Sequence, residues 1–158
     1  MSGASRYHGR IVTNAVGELR DQLRKRSCNV YGTDLRVHIP ATGLYTYPDI
    51  VVTCGNEEYL DDQFDTLLNP LLIIEVLSPN TADYDRGGKF FHYRSIPAFG
   101  EYLTIAQDQV LVEHWIRQSE RDWLFADHAR TEDTVCLKTL NIELNVSALY
   151  EKVEFPVV

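Results

Sequence analysis

The stretch that decides the fold runs from Pro70 to Tyr93 and reads PLLIIEVLSPNTADYDRGGKFFHY. It opens on a continuous apolar run, Leu71 to Ile74, which is far shorter than a membrane span. Because Pro70 and Ser78-Pro79 bound this region, the run predicts a strand that is buried on both faces in the middle of a sheet. Glu75 follows at the C-terminal end of the strand, where a carboxylate requires a partner or a cation.

A helix is predicted after the break at Ser78-Pro79-Asn80. Asp85, Lys89 and Tyr93 recur at every fourth residue, so their side chains share one helix face. For Asp85 this spacing predicts a cap or an ion pair. Gly87-Gly88 inside the helix costs roughly 1 kcal/mol per glycine relative to alanine. Close packing against the sheet explains the two glycines better than space for a substrate phosphate. A buried acid at a strand end, followed by a helix that presents a lysine, is typical of a catalytic centre.

The composition indicates one domain over residues 1–158, with 44% hydrophobic and 24% charged residues. The net charge of −8 counts against a bulk nucleic-acid binder but allows a local basic patch. The opening MSGASRYHGR has no apolar core of a secretion signal, and no apolar stretch is long enough for a bilayer. These features predict a cytoplasmic protein without a membrane segment.

Three cysteines, Cys28, Cys54 and Cys136, are odd in number and widely spaced. This pattern predicts neither a disulfide framework nor a zinc site. Buried cytoplasmic thiols are the expectation.

The rest of the chain predicts a mixture of helix and strand. Apolar residues at helical spacing predict a first helix over residues 8–26. Its end carries a basic group that suits the helix dipole, formed by Arg20, Arg24, Lys25 and Arg26. His8 lies one turn before the apolar stripe, where it either faces an active site or makes a structural hydrogen bond. A strand over 35–39 and a second strand over 44–53 predict a hairpin. The acidic residues 55–69 predict an exposed excursion. Further strands are expected at 102–105, 110–117, 123–126, 135–137 and 140–144, before a helical turn at 147–153.

Asp49 and Glu75 are two acids embedded in otherwise apolar strands, 26 residues apart. Adjacent strands would bring both carboxylates to one edge of the sheet. Two acids in a dry site repel each other, so one takes a proton or a cation bridges them. Oxygen ligands without Cys or His favour Mg²⁺ or Mn²⁺ over Zn²⁺. Lys89 would then hold the attacking water or stabilise charge on a phosphoryl oxygen, which suits metal-assisted phosphodiester hydrolysis.

The segments YPDIVVTCG (47–55) and LLIIEVLSPNTADYDRGGKFFHYR (71–94) resemble the PD-(D/E)xK nuclease superfamily. More narrowly they resemble the Uma-two family of restriction-endonuclease-like proteins. EVLSP followed by D-x-x-x-K-x-x-x-Y is the most specific part of this likeness. The resemblance also extends to HGRIV (8–12), to residues 34–37 and to Glu101-Tyr102, so it covers most of the chain.

This resemblance implies an α/β, restriction-endonuclease-like fold with a central mixed β-sheet flanked by helices. It also implies a metal-dependent endonuclease that acts on DNA. Asp49 matches the acid of the PD motif and Glu75 the acid of the ExK motif, and the Val76 carbonyl would help both to bind the metal. Leu77 stands where ExK has its lysine, so Lys89 is the expected replacement from the following helix.

The same resemblance supports an alternative. Longer family members carry a segment ahead of the first helix, with a Tyr-Glu and a Gly in a hairpin, whose glutamate is expected to join the active site. This chain starts almost at His8. The alternative is therefore a catalytically inactive nuclease-fold module for binding or assembly, or a protein that completes its site as a homodimer. A metal-free sugar-processing enzyme would explain the paired acids but leaves Lys89 without a role.

Overall fold

The structure is a computed structural model that describes residues 5–155. Its elements, in chain order, are α1 (Arg6–Leu23), β1 (Cys28–Tyr31), β2 (Arg36–Ile39), β3 (Leu44–Thr46), β4 (Ile50–Cys54), β5 (Thr66–Leu67), β6 (Leu72–Leu77), a π-helix (Tyr84–Lys89), α2 (Phe90–Tyr93), β7 (Glu101–Ala106), β8 (Val112–Arg117), β9 (Trp123–His128), β10 (Thr134–Leu137), β11 (Ile142–Asn145) and α3 (Val146–Leu149).

A six-stranded mixed sheet forms the centre, with strand order β1-β4-β6-β7-β8-β9. All six residues of β6 are buried, which confirms the central strand predicted from its apolar run. β6 and β7 are parallel, and every other neighbouring pair in this sheet is antiparallel. The crossover between the two parallel strands carries the π-helix and α2. The predicted fold class, a central mixed sheet flanked by helices, is confirmed.

Alternate residues of β6 belong to two separate apolar clusters. Leu72, Ile74 and Val76 pack with the buried stripe of α1 on one face. Ile73 packs with Tyr93 of α2 on the other face, so the Glu75 side chain points to the same side as α2. α1 begins after Ser5, whose side chain accepts a hydrogen bond from the His8 backbone N–H at 3.2 Å. No helix within residues 5–155 is long and apolar enough to cross a membrane.

The predicted continuous strand over 44–53 is wrong, because the chain changes sheets in its middle. β3 pairs with β2 in a separate three-stranded sheet, as the hairpin predicted. β4 instead joins the central sheet beside β6. The break falls at residues 47–49, where Pro48 has no backbone N–H to donate to a strand ladder. This change of sheet places Asp49 directly before β4.

The expectation of three buried thiols is also wrong. Cys28 and Cys54 are opposite residues of the antiparallel pair β1–β4 and form a disulfide. Cys136 is a free cysteine and is exposed. Neither the count nor the spacing of the cysteines predicts this bond, because only the pairing of β1 with β4 brings the two residues together. Disulfides are rare in reducing compartments, so this bond counts against the predicted cytoplasmic localisation, which stays a prediction.

Removing this disulfide should destabilise the protein. We expect Cys28→Ser with Cys54→Ser to lower the free energy of unfolding by about 3 kcal/mol, because the bond restricts the unfolded chain. Its partners are 26 residues apart in sequence. Urea denaturation would measure the change, with Cys136→Ser as the matched control that should leave stability unaltered. Equal stability of the double variant and the wild type would show that the bond contributes nothing.

Candidate active site

Asp49 and Glu75 meet at the end of the central strand. Ile50 is opposite Ile74 in the β4–β6 register, so one further step places Asp49 opposite Glu75. The Asp49 backbone N–H donates to Glu75 Oε1 at 3.0 Å. In return, the Val76 backbone N–H donates to Asp49 Oδ2 at 2.8 Å. The two acids predicted from separate strands therefore lie side by side.

Lys89 and Tyr93 complete the surroundings of Glu75. Lys89 Nζ lies 2.9 Å from Glu75 Oε2 and 3.3 Å from Asp85 Oδ1. The Tyr93 hydroxyl donates to the same Glu75 Oε2 at 2.9 Å. The predicted face of Asp85, Lys89 and Tyr93 thus turns towards the acid, and Asp85 makes an ion pair. Nothing in the sequence assigns Tyr93 a role beyond its place on that face.

The helix that carries Lys89 is a π-helix in its first part, which the four-residue spacing did not indicate. π-helical turns are rare and occur frequently at functional sites. Two contacts hold this segment against the sheet. The Tyr102 hydroxyl donates to the Asp85 carbonyl at 2.6 Å, and Arg86 Nε donates to Glu113 Oε1 at 2.5 Å. Both partners come from later strands, so no local pattern predicts them.

Packing against the sheet does not explain Gly87-Gly88, contrary to the expectation. A Cβ on Gly87 would meet no atom within 4 Å. A Cβ on Gly88 would overlap the ring of Tyr84, which belongs to the same helix. Gly88 thus leaves room for a neighbouring aromatic side chain, whereas Gly87 borders open space.

His8 also reaches this site. Its Nε2 lies 3.1 Å from Asp49 Oδ1, and both side chains are less than one-fifth exposed. The first turn of α1 positions His8, while Val76 and the start of β4 position Asp49. Of the two possibilities left open by the sequence, the structure therefore favours a histidine that faces the acids.

The site contains more negative than positive charge. The three acids are Asp49, Glu75 and Asp85, of which Glu75 and Asp85 form salt bridges with Lys89, whereas Asp49 contacts His8. Burial raises the pKa of Glu75 from 4.5 to about 7; Asp49 adds to this effect, and Lys89 opposes it. For Lys89, burial lowers the pKa, but the attraction of Glu75 and Asp85 outweighs burial and raises it. The hydrogen bond to Asp49 raises the pKa of His8. A further cation near the carboxylates would reduce their repulsion.

The raised pKa of Glu75 predicts how stability depends on pH. Between pH 4.5 and about 7 the folded protein binds a proton that the unfolded chain has lost, so stability falls as pH rises through this window. From about pH 5 to about pH 8, in EDTA, the wild type should lose on the order of 2 kcal/mol more than Glu75→Gln. Denaturation curves would measure this, with the exposed Glu58→Gln as a control that keeps the wild-type slope. Identical slopes for Glu75→Gln and the wild type would mean that Glu75 stays ionised throughout.

No group of three or more His, Cys, Asp or Glu side chains within residues 5–155 is arranged to hold a metal ion. The carboxylates that lie side by side at this site are those of Asp49 and Glu75. Mg²⁺ is commonly bound by only one or two carboxylates, with water and substrate phosphate as its other ligands. The donor set is compatible with such an ion.

Known proteins resemble this chain along most of its length. The Uma2 family, described as "Putative restriction endonuclease", matches residues 1–147. "Uncharacterized protein slr1290" of Synechocystis sp. is 32% identical over 155 residues, which cover 98% of this chain and 80% of that protein. "Uncharacterized protein sll1609" of the same organism is 35% identical over 127 residues, which cover 80% of this chain and 72% of that protein.

A solved structure has the same fold. The crystal structure of a "putative nuclease belonging to DUF820" from Anabaena variabilis matches with a TM-score of 0.77. The match covers 93% of this chain and 82% of that chain, at 17% sequence identity. At this identity the likeness shows the fold, in agreement with the fold class predicted from the sequence.

Proposed function

Because the chain belongs to the Uma2 family of restriction-endonuclease-like proteins, we propose that it is a divalent-metal-dependent endonuclease that hydrolyses phosphodiester bonds of DNA. The observation that carries the proposal is the meeting of Asp49, Glu75 and Lys89 at one end of the central sheet. The three residues come from three separate segments, and the sequence motifs assign the same three to catalysis.

Asp49 and Glu75, with the Val76 carbonyl, would hold Mg²⁺ or Mn²⁺. The excess of carboxylates over cations and the raised pKa of Glu75 both indicate a place where a cation is favourable. When bound, the ion supplies a Lewis acid that stabilises negative charge on the phosphoryl oxygens.

The protein's own side chains would do the rest. Lys89 keeps its positive charge at neutral pH, because its pKa is raised, and would orient the attacking water or stabilise the developing charge. Tyr93 and His8 would orient the carboxylates of Glu75 and Asp49. Leu77 is only 2% exposed and has no charge, so we infer that Lys89 takes the part that the ExK motif gives to its second position.

The experiment is a plasmid-nicking assay on the purified full chain. We expect nicking of DNA with Mg²⁺ or Mn²⁺ and none with EDTA, because the carboxylates alone cannot stabilise an anionic transition state. Single-stranded DNA and RNA should be assayed in parallel to define the substrate. Failure to cleave any of these nucleic acids with either metal would end the enzyme proposal.

A non-catalytic binding or assembly module of the same fold is the second candidate. The oxygens of Glu75 already accept hydrogen bonds from Lys89, Tyr93 and the Asp49 backbone, so a metal must displace or share these partners. The net charge of −8 favours this candidate as well. A module of this kind would bind its partner without cleavage. A homodimer stays a prediction that light scattering can decide.

A further inference from the structure

A cleft of about 660 Å³ lies between the segment that follows α2 and the turn between β8 and β9. Arg94, Arg117 and Arg121 line it. Among residues 5–155 none of these arginines is in a salt bridge, although the chain has a net charge of −8. Glu120 also lines the cleft, and Asp122 accepts a hydrogen bond from the lining Ser119, but within residues 5–155 neither acid forms a salt bridge with the three arginines. The cleft is therefore a local concentration of positive charge on an acidic protein.

Arg117 is held rigidly in this cleft. Its Nε donates to the Phe99 carbonyl at 2.6 Å, its Nη1 to the Glu120 carbonyl at 3.0 Å and its Nη2 to the Arg94 carbonyl at 2.8 Å. Its guanidinium also lies over the Trp123 ring, 4.6 Å from the centroid. Carbonyl oxygens satisfy the donors without neutralising the charge. A partly buried cation of this kind is stabilised by an anion.

Arg94 adds an aromatic neighbour to the positive charge. Its guanidinium lies 5.5 Å from the centroid of Phe91, a side chain that is 58% exposed. Arg121, on the opposite wall, is exposed. Arginines beside an exposed aromatic ring are typical of surfaces that bind single-stranded nucleic acid, where phosphates meet the cations and bases stack on the ring. This combination favours a nucleic acid over a small inorganic anion.

The cleft lies towards the other end of the strands from the proposed active site, because Glu113 is level with Glu75 across β7 and Arg117 is four residues further along β8. Arg94 directly follows Tyr93, which contacts Glu75, and Lys89 is five residues earlier in the chain. Four strand residues advance about 13 Å, which corresponds to about four nucleotides of a DNA strand. We propose that this cleft binds backbone phosphates of the nucleic-acid strand several nucleotides away from the position that is cleaved. The inference rests on the proposed function and names a substrate-binding surface outside the acidic site.

The test compares two double variants that remove the same charge. Arg94→Gln with Arg121→Gln changes the cleft and spares Arg117, whose side chain holds backbone carbonyls. Arg20→Gln with Arg24→Gln changes exposed arginines near the end of α1 and is the matched control. Melting curves establish that both variants are folded.

Binding of a fluorescein-labelled single-stranded oligonucleotide is measured in EDTA by fluorescence anisotropy, over a series of salt concentrations. The cleft variant should bind about 10-fold more weakly or worse, and its slope of log affinity against log salt should fall by about 1.4, because two phosphate contacts are lost. The control should stay within about twofold of the wild type.

An equal loss of oligonucleotide affinity in both variants, or a wild type that binds no oligonucleotide, would contradict nucleic-acid binding by the cleft. Nicking assays on the same proteins separate this outcome from the proposed function. If the wild type nicks DNA and the cleft variant binds like the control, the proposed function is supported and nucleic-acid binding by the cleft is contradicted. If binding depends on the cleft but the wild type does not nick DNA, nucleic-acid binding by the cleft is supported and the proposed function is contradicted.

Discussion

Lys89→Ala is expected to lower the rate of metal-dependent DNA nicking by about 10²–10³-fold while the protein stays folded. The Lys89 ammonium lies between Glu75 and Asp85, 2.9 and 3.3 Å from their oxygens, where it can stabilise charge that develops during the reaction. Folding should survive because Glu75, with its pKa raised to about 7, can take a proton when the lysine is absent. Initial nicking rates at saturating metal, together with melting curves, would measure both effects.

Two further variants make this result specific. Lys25→Ala removes an exposed lysine near the end of α1 and should leave the nicking rate unchanged. Leu77→Lys in the Lys89→Ala background tests the exchange of lysine positions. Residue 77 lies two positions after Glu75 on the same face of β6, so its new ammonium would point to the acids, and partial recovery of nicking is expected. A wild-type nicking rate in Lys89→Ala would show that Lys89 serves only as a counter-ion of Glu75.

The centre of the fold could be predicted because its signals are local. The apolar run before Glu75 has no polar residue to place on a surface, so only a fully buried strand suits it, and β6 is that strand. The approach of Asp49 to Glu75 could also be inferred. Both acids interrupt apolar strands, and two short buried strands that follow one another in the chain commonly become neighbours.

Other features depend on contacts between distant segments. The Cys28–Cys54 disulfide requires the pairing of β1 with β4. The chain passes from one sheet to the other at Pro48 because β3 pairs with β2, whereas β4 pairs with β6. The π-helix is held by Tyr102 and by Glu113, which follow it in the chain by more than ten residues. No pattern within a single segment contains this information.

The arginine cleft could not be predicted from the sequence for the same reason. Arg94 follows α2, whereas Arg117 and Arg121 belong to the end of β8 and the turn after it. In the sequence the basic residues near the end of α1 stand out instead, because they are close together in the chain. Proximity in space is what makes a binding surface, and only the folded chain reveals it.

Asp49→Asn combined with Glu75→Gln should abolish metal-dependent nicking altogether. Both changes keep the size of the side chain and remove the negative charges that would hold the ion, so the fold should be retained. Loss of both acidic ligands should have a larger effect than loss of Lys89, because the ion would then have no carboxylate to bind it at this site. Nicking by this double variant at the wild-type rate would place the chemistry elsewhere.

The most direct test of the account is the melting temperature of the wild type and of this double variant, each with and without Mg²⁺ or Mn²⁺. A ligand that binds only the folded state stabilises it by about 2.7 kcal/mol when its concentration is 100 times its dissociation constant. We predict that either metal raises the melting temperature of the wild type and leaves that of Asp49→Asn/Glu75→Gln unchanged. An equal rise in both proteins, or no rise in the wild type, would contradict a metal site at Asp49 and Glu75.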